Sequence, residues 1–514
     1  MTTRRTILTG TAAATLAALL PAATRAAARD TLVRTSAGAW RGTVEDGLHV
    51  FRGVRYGQDT RTTRFQPPRA PLPARAIADA TRFALSAPQA KAPNAVSEDC
   101  LFLNIWTPGP DARAKRPVLL YIHGGAYANG SVVDPQNDGR HLAAGGDAVV
   151  VTVNHRLNAF GYLYLARLSE RFADSGNAGQ LDLILALRWV RDNIAAFGGD
   201  PAQVMVFGQS GGGAKIATLM GTPAAAGLFR AAATMSGQQV TASGPQNATR
   251  RARAYLDQLK VSDPEALLDL PMERLLDALS AHDPIQTGGV YFGPVLDDRA
   301  LLRHPFWPDA HPQSNGIPLI LGNTHDETRG FFDSARAPLL GLDWSNLADR
   351  MGPELRVDIL PETVVAAYRG WMPAASPADI FFAATTAGRS WRGQIEEAEA
   401  RARAGVPAWV YQLDFPAPLA PAKGAFHTLD IALVFGTLDA PGSLTGTGPD
   451  ARRVSAAMQA AFLAHARGHS PGWPAYTLDR RTTMLFDARS RPVEDPRRDQ
   501  RLLFAKVPYI QPGS

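Results

Sequence analysis

Among the 514 residues, one hydroxyl is set apart by its neighbours: Ser210, in Gly208-Gln209-Ser210-Gly211-Gly212. A serine hydroxyl is a poor nucleophile. It becomes a good one beside a base, an acid that orients the base, and donors for the oxyanion its attack creates. The flanking residues suit that chemistry. Val204–Phe207 is a short apolar run of the kind a buried strand uses, and Ala214–Met220 reads as the start of a helix. A serine on a tight turn between strand and helix is lifted off the sheet, with the helix N-terminus aimed at the reacting centre. Small residues two places before and after it are required, because a β-carbon there would strike strand or helix.

The order of the remaining strands indicates where the partners lie. Val118–His123 and Ala148–Asn154 are continuous apolar runs, as in strands covered on both faces. Directly after the first comes His123-Gly124-Gly125-Ala126-Tyr127, a loop suited to presenting backbone N–H groups to an oxyanion, together with the N–H of Gly211. His123 itself reads as an anchor for that loop. Ile317–Gly322 ends in the polar turn Asn323-Thr324-His325-Asp326-Glu327, and Ala408–Leu413 is followed by Gly424-Ala425-Phe426-His427. Acid after a later strand and histidine last is the order expected of an α/β-hydrolase. Of eleven histidines, His427 has the best position, past the last strand in a glycine-containing loop. His325 crowds the acid, and His465 and His469 flank a late helix (Gln459–Arg467) and read as surface residues. Pattern alone does not separate Asp326 from Glu327.

These groups need a scaffold. Thr31–Tyr56 alternates apolar runs with glycine turns, as antiparallel strands at a sheet edge do. Glu98–Trp106 reads as another strand, Gly179–Ala196 as a helix with an apolar face, and Ala231–Met235 as a further strand. Strands separated by helices predict an α/β fold with a large, mostly parallel central sheet covered by helices. Two helical insertions, Arg250–Ala281 and about Asn346–Ala404, are expected to form the pocket walls. Residues 29–514 read as a single domain.

Composition narrows the function. With 45% hydrophobic and 19% charged residues, the chain has ample core and is neither disordered nor membrane-spanning. Three of its six net positive charges (Arg4, Arg5, Arg25) fall in the first 28 residues, and no basic run interleaved with aromatics follows. That argues against nucleic-acid binding. The first 28 residues pair Arg4-Arg5 with a short alanine-rich apolar stretch and end in Ala26-Ala27-Ala28. This predicts an export signal, of twin-arginine type, and a periplasmic or secreted mature protein in a bacterium. The lone cysteine, Cys100, is expected to be a small buried side chain.

The chain resembles the type-B carboxylesterase family, which includes cholinesterases and bacterial para-nitrobenzyl esterases. The stretch FGGDPAQVMVFGQSGG (Phe197–Gly212) fits the family's serine signature, and Glu98–Trp106 fits its second one. Arg64-Phe65-Gln66-Pro67-Pro68, Val153-Asn154-His155-Arg156-Leu157, Trp189–Pro201 and Trp473-Pro474-Ala475-Tyr476 extend the likeness over nearly the whole mature chain. The resemblance implies a serine carboxylesterase acting on small carboxylic esters, with a triad of Ser210, Glu327 and His427. It also implies an oxyanion hole of the Gly125, Ala126 and Gly211 N–H groups, and neither metal nor organic cofactor. An amidase or peptidase on the same fold, or a non-catalytic cholinesterase-like binding protein, are the alternatives. Three departures stand out. Gln209 replaces a frequent Glu, which predicts a less acidic pocket open to neutral or carboxylate-bearing esters. Thr328 replaces a usual Gly. Cys100 lacks the upstream partner of the family's first disulfide.

Overall fold

Residues 29–511 and Gly513 are described by the computed structural model; the predicted export segment lies outside the described residues. The apolar runs become one sheet. Its strands are β1 (Arg29–Thr35), β2 (Gly38–Glu45), β3 (Leu48–Arg55), β4 (Ile77–Asp79), β5 (Phe102–Thr107), β6 (Arg116–Ile122) and β7 (Val149–Val153). They continue as β8 (Gly199–Gln209), β9 (Ala231–Met235), β10 (Leu319–Thr324), β11 (Ala408–Leu413), β12 (Thr482–Phe486) and β13 (Arg491–Glu494). Spatially they run β1-β2-β3-β5-β7-β6-β8-β9-β10-β11-β12-β13, with β4 beside β2. From β7 to β12 all neighbours are parallel, and antiparallel strands close both ends. This is the α/β-hydrolase architecture.

The unbroken apolar runs are explained by burial on both faces. Along β6, Val118, Leu120 and Ile122 join one core and Leu119 and Tyr121 the other. Val206 of β8 sides with the first group and Phe207 with the second. Alternation of side chains therefore divides each run between two hydrophobic layers. The Ala178–Asn193 and Gly211–Met220 helices cover the first layer, and the Leu429–Phe435 and Pro449–Ala466 helices the second. Two motifs of the sequence fasten this frame with buried ion pairs, Arg64 to Glu98 at 2.5 Å and Arg156 to Asp182 at 2.7 Å.

The insertions are helical as expected. The first carries Pro245–Leu259 and Met272–Asp277; the second carries Leu347–Leu355, Pro361–Trp371, Pro377–Thr386 and Arg392–Arg403. No helix among the described residues is long and apolar enough to cross a membrane.

Several sequence readings need correction. His427 does not follow the last strand, since β12 and β13 come later. Both are short, and β13 is a largely exposed edge (Arg-Pro-Val-Glu) without an apolar run to betray it. The late helix starts ten residues earlier than read, at Pro449, where proline is favoured at the first helical position. His465 is buried, not on the surface. It lies on the inner side of that helix, its Nε2 3.2 Å from both the Ala232 and Pro318 carbonyls, so strand-end backbone satisfies it.

Candidate active site

The predicted groups all come from the C-terminal ends of parallel strands. Ser210 follows β8, the Gly124–Ala126 loop follows β6, Glu327 follows β10 and His427 follows β11. The chain leaves β6 toward β7 on one side and returns to β8 on the other. Such a reversal opens a crevice at the strand ends, the usual place for a ligand in an open α/β sheet.

Ser210 sits on the turn its neighbours forecast. Its backbone takes φ 55° and ψ −125°, a left-handed region that a non-glycine residue adopts only under constraint. The constraint is visible: its N–H donates to the Met235 carbonyl at 2.7 Å, and the Gly211–Met220 helix begins at once. A β-carbon on Gly211 would overlap the Ala126 carbonyl, and one on Gly212 the Ile122 carbonyl. Serine turn and glycine loop are thus packed backbone to backbone.

Two flanking residues fix the loop. Lys215, fully buried one turn into the helix, donates from Nζ to the Ala126 carbonyl at 2.6 Å and lies 4.8 Å from the Tyr127 ring centre. Burial pulls its ammonium down to about 7. Sequence reasoning passed over Lys215; its signal was a lone lysine in an otherwise apolar helix start. His123 donates from Nδ1 to the Gly124 carbonyl at 3.0 Å and stacks on His155. Burial, then Lys215, hold it down to about 3. It anchors the loop, as expected.

The choice between Asp326 and Glu327 is made by geometry. Glu327 is fully buried and its Oε2 pairs with His427 Nδ1. Its Oε1 accepts from the Thr324 N–H at 2.8 Å and Asn323 Nδ2 at 3.2 Å. Burial pushes this carboxyl up, but His427 and the backbone N–H of Thr324 outweigh it and hold it below the usual range. Asp326 instead accepts from the Ala425 N–H at 3.0 Å and pairs with the exposed His325 at 3.2 Å. It pins the histidine loop without reaching the imidazole. Thr328 also finds a reason: buried, its Oγ1 meets the Phe382 carbonyl at 3.0 Å and Thr385 Oγ1 at 2.9 Å. The acidic turn is thereby tied to the Pro377–Thr386 helix.

His427 is itself buried. With Nδ1 donating to Glu327, its lone pair sits on Nε2, and that atom lies 3.3 Å from the Gln209 side-chain amide nitrogen. Gln209 is buried against the imidazole and is not among the residues lining the cavity of about 830 Å³ nearby. The turn that presents Ser210 aims the preceding side chain back under the histidine. Among the described residues, no hydrogen bond joins Ser210 Oγ to Nε2; the half-buried hydroxyl has no partner. Cys100 is free and buried, as expected. Among the described residues, no cluster of three or more His, Cys, Asp or Glu could hold a metal ion.

A sheet of this topology with an elbow serine at its crevice defines a serine hydrolase of the α/β-hydrolase class, and the comparisons narrow it. The model of the carboxylesterase family matches residues 29–505, so the chain belongs to that family and is a carboxylic ester hydrolase. It is 33% identical to the para-nitrobenzyl esterase of Bacillus subtilis (strain 168), over 91% of this chain and 97% of that one. With the phenmedipham hydrolase of Pseudarthrobacter oxydans it shares 32% identity over 87% and 93%. The crystal structure of carboxylesterase EST55 from Geobacillus stearothermophilus at pH 6.2 superposes with a TM-score of 0.83 at 36% identity. That alignment covers 92% of this chain and 100% of that one.

Proposed function

We propose that Ser210 is the nucleophile, His427 the general base and Glu327 its orienting acid. The reading rests above all on the imidazole, clamped at Nδ1 by a buried carboxylate and turning Nε2 toward the elbow. Ser210 Oγ attacks the ester carbonyl carbon while its proton passes to Nε2. Negative charge gathers on the carbonyl oxygen, facing the N–H groups of Gly125, Ala126 and Gly211. Each such preorganised donor is worth about 3–4 kcal/mol to the transition state. The tetrahedral species collapses, the alcohol leaves with the proton from His427, and water activated by the same nitrogen releases the acid. Glu327 stays ionised throughout, balancing the imidazolium.

Ser210→Ala is expected to lose on the order of a millionfold in kcat on 4-nitrophenyl esters, as nucleophile knockouts in serine triads do. It should also escape labelling by a fluorophosphonate. Labelling of the variant, or turnover near that of the parent, would remove Ser210 from the role.

The substrates are small esters, and we assign the protein neither a nucleic-acid partner nor a membrane anchor. Residues 1–28 we read as a twin-arginine export signal, supported by Arg4-Arg5 ahead of the alanine-rich stretch. Replacing both with lysine should leave esterase activity in the cytoplasmic fraction of the bacterial host.

A further inference from the structure

Beside the imidazole, past Phe331, the site opens into space. Phe331, its ring centroid 4.5 Å from that of His427, is exposed and forms part of the wall of a cavity of about 830 Å³. That is room for a sizeable organic ligand. The lining is distinguished by its charge. Arg251 reaches it from the Pro245–Leu259 helix, Arg356 from the C-terminal cap of Leu347–Leu355, and Arg389 from a π-turn, Ala387–Trp391.

The three guanidinium groups are not equivalent. Arg251 is held in place: Nε donates to Asp283 at 2.7 Å, and Nη1 to Ser243 Oγ at 3.0 Å and the Gly513 carbonyl at 2.7 Å. Arg389 pairs with Glu354 at 3.2 Å and lies over the Phe331 ring at 5.0 Å. Arg356 is exposed at the cavity, and among the described residues it has neither a carboxylate within ion-pair distance nor a hydrogen-bond acceptor. Asp358, on the same wall, is exposed and pairs with neither arginine. Burial, then Arg356, pull Arg389 down to about 10. The two cations therefore feel each other, with Glu354 the carboxylate that both of them sense. Positive charge left without a partner beside a partly enclosed space is where an anion gains most, and a guanidinium fits a carboxylate edge to edge.

We propose that this cavity binds a free carboxylate of the substrate, Arg356 first and Arg389 second. The enzyme would then favour half-esters of dicarboxylic acids over the corresponding full esters. The inference rests on the assignment of Ser210 and His427 and adds the class of ester they serve. Gln209 does not take part: it faces the imidazole, and the discriminating charge sits past Phe331.

The test compares mono-4-nitrophenyl suberate with methyl 4-nitrophenyl suberate, which differ only in whether the distal carboxyl is free or methyl-esterified, using the full chain. The parent enzyme should show a higher kcat/KM for the charged ester, by a margin that shrinks with added salt. Arg356→Gln should cut that ratio by about tenfold or more, the scale of one charge-assisted hydrogen bond. Arg356→Lys should keep part of it. Arg34→Gln, an exposed cation on the edge strand β1, should leave it alone. No preference in the parent, a preference that survives Arg356→Gln, or an equal fall in Arg34→Gln would each overturn the proposal. Hydrolysis of the methyl ester reports on Ser210 chemistry by itself, so failure of the inference and failure of the catalytic assignment give different results.

Discussion

Gln209 lies against His427, its amide nitrogen 3.3 Å from Nε2, and its neutrality there has a consequence. A neutral amide donates to the nitrogen proposed to take the serine proton, and it brings no negative charge to the ring. A carboxylate there would favour the protonated ring. Gln209→Glu is therefore expected to move the acid limb of the kcat/KM profile to higher pH, by about one unit. A pH series on a neutral 4-nitrophenyl ester reads this directly, and an unmoved limb would refute it. Lys215 bears on the proposed oxyanion loop. Its ammonium fixes the Ala126 carbonyl, and so the peptide plane directly after the Ala126 N–H. Lys215→Met keeps the length and loses the bond. The variant should stay folded and lose about tenfold to a hundredfold in kcat, with KM changed far less, part of the worth of one oxyanion donor. A loss confined to KM would show that the lysine does not serve the transition state.

Between elements, the closest fit is where the Gly211–Met220 helix meets the end of β6. No room exists at Gly212 for a β-carbon against the Ile122 carbonyl. Gly212→Ala must push helix from strand, and overpacking of this kind costs about 1–3 kcal/mol. The melting temperature and the activity should fall together, since the same displacement separates Ser210 from the glycine loop. Gly244→Ala is the control: nothing lies within 4 Å of a β-carbon there. Equal behaviour of the two would mean that the contact at Gly212 is not limiting. The acidic turn shows the same dependence on a neighbouring element. Thr328 ties it to the Pro377–Thr386 helix, and Arg329 reinforces the tie through Asp379 at 2.6 Å.

Across the whole molecule, stability is coupled to pH through carboxyl groups buried near the imidazole. Asp430, which accepts from the Tyr411 hydroxyl at 2.9 Å, is pushed up to about 7 by burial and then by Glu327. An unfolded aspartate releases its proton near about 3.9. Between those values the folded protein holds a proton that the unfolded chain has lost, so stability falls as pH rises through this window. Above about 7 the penalty is complete. Asp430→Asn removes it. The variant's melting temperature should exceed the parent's, by a margin that grows from about pH 4.5 to about pH 8.5. A constant or shrinking margin would contradict the sign.

What the residues determined alone was local or periodic. The serine turn is legible because the glycines around it are demanded by sterics within a few residues. The central strands are legible because burial on two faces leaves an unbroken apolar run. Their order then told which loops would meet. Which side chains touch was decided only by the tertiary structure. Asp326 and Glu327 are adjacent, and register selects between them: Asp326 N–H bonds the Ala425 carbonyl across the two loops, which leaves Glu327 facing the ring. Gln209 and His427 are 218 residues apart, so no local pattern could announce their contact. His465 looked like surface because a helix end says nothing of the strand carbonyls beneath it. The arginines around the cavity are scattered over three elements, and charge separated in sequence becomes a site only when folding sets it around one space. Steric demands act between near neighbours and are written in the chain; convergence acts across it and is settled by how the strands line up.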